Sequence, residues 1–75
     1  MSKRITSILS AVDFAVQRYG SDHIDVVKEG DSIHIMYCSH NNSFGVREII
    51  CGEFCDTEKK KLINELDSRS VGYVF

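Results

Sequence analysis

At 75 residues the chain makes one domain, and a domain of this size buries only about 60% of the surface its unfolded form exposes, so its core is small and its stability thin. Nine basic and eleven acidic residues leave a formal charge of −2, which argues against both a strongly basic nucleic-acid binder and an acidic nucleic-acid mimic. A hydrophobic content of 43% excludes disorder as the resting state.

Ile5, Ile8, Leu9, Val12, Val16 and Tyr19 recur at the three-and-four spacing of one helical face, which predicts a helix over Ser2 to Tyr19 stopped by Gly20. Phe14 lies roughly 180° from Ile5 around that helix and is expected to face water, with Lys3, Ser7, Ser10 and Arg18 on its side. From Ile24 the period changes to two. Glu29-Gly30 falls between two alternating runs and reads as a tight hairpin turn. Ile24, Val26, Ile33 and Ile35 then share one face, and Asp25, Val27, His34 and Met36 share the other. A three-residue loop, Asn41 to Ser43, leads into a third strand over Phe44 to Cys51. It places Ile49 and Cys51 with Ile33 and Ile35, and adds Val46, Glu48 and Ile50 to the outer face. A slip of one residue would exchange the two faces. Asp56 or Thr57 is expected to cap a second helix with a stripe of Leu62, Ile63 and Leu66 ending near Ser68. The tail Val71-Gly72-Tyr73-Val74-Phe75 is too apolar to fray and reads as a short fourth strand or a strap across the core.

This order implies a two-layer α+β domain, α-β-β-β-α, with a three-stranded antiparallel meander and both helices on one sheet face. The alternative is one helix per face, since the pattern does not fix the side of each helix. In the first arrangement Val27, Met36, Val46 and Ile50 stand on an open face, as an apolar patch of the size that marks binding surfaces.

Chemistry is sparse. Three cysteines, an odd number, argue against a disulfide framework and for a reducing compartment, the cytoplasm. Met1-Ser2-Lys3-Arg4 looks like the basic start of a signal peptide, but Asp13 and Arg18 interrupt the stretch after it and no cleavage site appears. No apolar run approaches the roughly 20 residues of a membrane helix. Cys38, His40, Cys51 and Cys55 are residue types that bind zinc, but their spacing, C-x-H followed by C-x3-C, lacks the C-x2-C knuckle; core packing is the better account of the cysteines and no metal or cofactor is expected. A cysteine nucleophile would need a base, and His34 in its half-buried strand is near Cys38 or Cys51 only by accident of register. No paired-carboxylate, H-E-x-x-H, G-x-S-x-G or phosphate-loop motif is present, and the five glycines all read as turns or ends. The expectation is a chain without catalytic residues.

Lys59-Lys60-Lys61 opens the second helix, where lysines and helix-start amides together can grip phosphate. Helix, three strands and helix, with lysines at this position, resembles the double-stranded RNA-binding domain in element order. That family carries K-K-x-A-K where this chain has Lys59-Lys60-Lys61-Leu62-Ile63, and a glycine-proline-histidine loop where this chain has Lys28-Glu29-Gly30-Asp31. What the resemblance implies is a nucleic-acid-binding module using Lys59, Lys60 and Lys61. The leading expectation is a different one, a protein-binding module that uses Val27, Met36, Val46 and Ile50 on the open face or Phe14 and Arg18 on the first helix. It would act by occluding a surface of a larger protein, as small phage or mobile-element inhibitors of host machinery do, or by pairing with a second copy as a homodimer.

Overall fold

A computed structural model describes residues 3–39 and 41–75. The first helix, α1, runs Lys3–Tyr19, and the predicted Ser2 start lies outside the described residues. Gly20 closes it at φ 90°, donating its N–H to the Val16 carbonyl at 2.9 Å. After a single 3-10 turn, Ser21–His23, come β1 (Ile24–Glu29), β2 (Ser32–Cys38) and β3 (Phe44–Ile50), then α2 (Asp56–Ser68) and β4 (Gly72–Val74). The tail is therefore a strand. It pairs parallel to β1, giving a mixed sheet in the order β3-β2-β1-β4.

Both helices cover one face. Ile24 and Val26 of β1 and Ile33 and Ile35 of β2 are buried in one cluster with Ile5, Ile8 and Val12 of α1 and Leu62 and Leu66 of α2. The cluster also takes in Phe54, which the periodicity does not single out because it sits in the connection between β3 and α2.

The faces predicted for residues of β1, β2 and β3 are correct, but both hairpins are displaced. The first turn is Gly30-Asp31, closed by Glu29 opposite Ser32. Gly30 has φ 58° and Asp31 does not share a positive φ, which is the sign pattern of a type II′ turn with glycine in its required first position. A Glu29-Gly30 turn would have forced positive φ on glutamate. In the second hairpin Ser39 donates its N–H to the Ser43 carbonyl at 2.8 Å, and Asn42 takes the left-handed conformation at φ 63°. The connection thus spans 40–42 instead of 41–43, because asparagine tolerates that conformation better than serine. Each displacement moves the loop by one residue and the pairing by two. Val26 meets Ile35 instead of Ile33, and Ile33 meets Ile49 instead of Cys51. Two residues is one full pleat, so the faces survive.

Two polar links fasten α1 to α2. Near the start of α1, the Arg4 guanidinium donates to the Cys51 and Glu53 carbonyls at 2.8 and 2.9 Å and to both Glu58 carboxylate oxygens at 2.9 Å, and lies 5.1 Å from the Phe54 ring centroid. Glu58 also accepts the Cys55 N–H at 3.3 Å. The cap residue of α2 is therefore Cys55, with Glu58 closing a capping box, and not the expected Asp56 or Thr57. Further along, Arg69 pairs with Asp13 at 2.5 Å. No helix among the described residues is long and apolar enough to cross a membrane.

Candidate interaction surface

The registers arrange the uncovered face of the sheet in rows. Phe44 lies opposite Cys38; Val46, Met36, Asp25 and Gly72 form the next row; Glu48, His34, Val27 and Val74 the third; Ile50, Ser32 and Glu29 the fourth. The expected residues are on this face, and Phe44 and Val74 join them. Exposure is high: Phe44 86%, Ile50 78%, Val46 57% and Met36 48%. Val27 is half-buried.

The apolar surface is divided, which the strand pattern does not reveal. His34 Nε2 lies 3.1 Å from a Glu48 carboxylate oxygen, and His34 Nδ1 lies 3.9 Å from Glu29. This polar band separates Ile50 from Val46. What remains contiguous is Phe44, Val46, Met36 and Cys38, with Val27 and Val74 diagonally beyond Met36. Beside this patch is a shallow hollow of about 240 Å³. Met36, Cys38 and Phe44 line it together with Asp22, His23, Asp25, Tyr37 and Gly45. Apolar side chains and two aspartates lining one hollow suit a long cationic side chain, whose methylenes pack on the apolar residues while its head meets an acid.

Phe14 and Arg18 lie elsewhere. Phe14 is 58% exposed and lines the groove between α1 and the β3 edge with Ala11, Tyr37 and Arg47. The C-terminal tail pairs with β1, on the far side of the sheet, and does not cover it. Arg18 instead lies over the Tyr19 ring, 5.9 Å from its centroid. Tyr19 in turn stacks on Tyr37 at 4.6 Å. Tyr37 lies opposite Gly45, and a Cβ there would sit 2.6 Å from the Tyr37 hydroxyl oxygen. Gly45 is thus a mid-strand glycine that leaves room for a ring, a correction to the reading of every glycine as a turn or an end.

Lys60 and Lys61 are exposed and Lys59 half-buried, in the same helical turns as Asp56 and Glu58. Cys51 is buried, Cys38 half-buried and Cys55 exposed, all three as free thiols. Burial pushes the Cys51 thiol up from its ordinary value, which makes it a poor nucleophile at neutral pH. No group of histidine, cysteine, aspartate and glutamate able to hold a metal ion occurs among the described residues; His40 lies outside them. Comparison with known protein families, curated proteins and solved structures finds no match for this chain.

Proposed function

We propose that this chain is a protein-binding module that acts as an inhibitor, by docking its open sheet face on a larger protein and occluding the surface it covers. The observation that carries the reading is the contiguous Phe44, Val46 and Met36 patch beside the hollow bounded by Asp22 and Asp25. An exposed apolar centre with a charged rim is the anatomy of a recognition surface. The partner segment that fits presents an apolar side chain next to a lysine or arginine. Phe44 and Met36 supply the buried anchors, and the acids set orientation and association rate.

The test is retention of the partner from the native source by immobilised wild-type and variant chains, scored by the biological effect of the same variants. Met36→Glu with Phe44→Glu is expected to abolish both, and Asp25→Lys with Asp22→Lys to weaken both. Such exposed positions typically change folding stability within about 0.5 kcal/mol, so circular dichroism should be unchanged. Full binding and activity in the Met36→Glu, Phe44→Glu chain would overturn the reading.

A further inference from the structure

The long free edge of the sheet is β3, and its bonds to β2 fix which of its backbone groups face outward. Cys51 donates its N–H to the Asp31 carbonyl at 2.9 Å, and Ser39 donates to the Ser43 carbonyl. In an antiparallel ladder the bonded pairs alternate, so Gly45, Arg47 and Ile49 turn their N–H and C=O groups toward β2. Phe44, Val46, Glu48 and Ile50 direct theirs at the open edge. Four donors and four acceptors at two-residue spacing form a template for another strand. The edge is long and regular: β3 has seven residues and no proline, its most exposed apolar side chains are Phe44 and Ile50, and its charges are the adjacent Arg47 and Glu48.

We infer that the partner of this edge is a second copy of the chain, joined through antiparallel β3 strands about a two-fold axis at Arg47. Of the symmetric registers that bring outward-facing backbone groups together, the most extensive have their axis at Val46, Arg47 or Glu48. An axis at Val46 sets Phe44 against Glu48 of the other copy, and an axis at Glu48 sets like charges face to face. The axis at Arg47 sets Val46 against Glu48 and the two Arg47 side chains against each other, but it alone pairs the strand over its full length, forms the most hydrogen bonds, and places Phe44 opposite Ile50 twice. It also unites Ile50, isolated by the His34–Glu48 band in one copy, with the Phe44 patch of the other.

The helix side of the sheet supports the same register. Gly45 meets Ile49 of the second copy, beneath the Tyr37 ring that lies over Gly45. With strands about 4.8 Å apart, the two β2 strands lie about 14 Å from each other across the joined edges. The α1 helices, which pack chiefly on β2, are then separated by more than the 8–10 Å of helices in direct contact. Phe14 projects toward that gap, lining the same groove as Arg47. Two Phe14 rings fill it and lie against the two guanidinium groups, a cation–π arrangement that offsets the like charge at the axis. One symmetry operation thus covers both the strand edge and the exposed aromatic of α1. The interface goes beyond the heterologous face proposed above and leaves Met36 free.

Cysteine substitution distinguishes the registers. In a background of Cys38→Ser, Cys51→Ala and Cys55→Ser, the Arg47→Cys chain is expected to form a disulfide-linked dimer under a mild glutathione redox couple. Residues at a non-hydrogen-bonded axis pair have Cα atoms about 4.5 Å apart, inside the range a disulfide spans. Val46→Cys and Glu48→Cys should remain largely uncrosslinked. By sedimentation equilibrium the natural chain should dimerise, and Phe14→Ser should dissociate at least about tenfold more readily. Val46→Pro should be monomeric and folded, since it removes only an outward N–H. Met36→Glu should dimerise as the natural chain does, which separates failure of this interface from failure of the face. A monomer at every concentration, or crosslinking at 46 or 48 in preference to 47, would overturn the inference.

Discussion

Gly45 shows how one residue without a side chain shapes the molecule. The Tyr37 ring, stacked on Tyr19, occupies the space its Cβ would need. A ring packed over an opposing glycine replaces the missing cross-strand contact. Gly45→Val is expected to push the ring off its stack and destabilise the fold by about 1–3 kcal/mol, the usual cost of overpacking, read as a lowered urea midpoint. An unchanged midpoint would show that the Tyr19–Tyr37 stack contributes little. In the sequence Gly45 reads as punctuation next to the Asn41 to Ser43 turn. Its role depends on Tyr37 lying opposite, and the register that puts it there is a property of the hairpin.

Among the elements, α1 and α2 run side by side with an ion pair toward each end. The hydrogen bond from Arg69 holds the Asp13 carboxyl below its ordinary value, and the Cys55 N–H does the same for Glu58, with Arg4 adding to it. A carboxyl whose pKa falls on folding contributes stability above its unfolded value, and loses that contribution as pH drops through the folded one. Asp13→Asn should therefore cost about 0.2–1 kcal/mol at pH 7, the range for exposed ion pairs. The deficit should shrink toward zero as pH falls below about 4. Parallel urea titrations at pH 7 and pH 3 check this; an equal deficit at both would mean the pair acts by packing and not by charge. Neither link is legible in the chain, because Arg4 and Glu58 are 54 residues apart and Asp13 and Arg69 are 56. Sequence spacing says nothing about pairs that only the packing of two helices brings together.

For the molecule as a unit the question is which surface meets a partner. The lysines of α2 share their first turns with Asp56 and Glu58, and the formal charge of the chain is −2. Duplex RNA or DNA in about 50 mM salt is expected to show no retention, whereas a phosphate-binding surface would bind there and weaken steeply as salt rises. Salt-sensitive binding abolished by Lys60→Glu and Lys61→Glu would favour the nucleic-acid reading over the protein-binding one. The sheet, not the helix start, carries the exposed apolar surface.

The parity of β1 and β2 and the sided nature of α1 are written in the chain. Alternation of Ile24, Val26, Ile33 and Ile35 has a period of two, and burial penalises any slip of one residue. Folding in three dimensions set the rest. It displaced both loops by one residue, because Gly30 and Asn42 are the residues that accept positive φ. It put both helices on one face, paired β4 parallel to β1, and left β3 as the long open edge. It also cut the apolar face in two, because His34 and Glu48 become neighbours only when β2 and β3 take the register that their turn imposes.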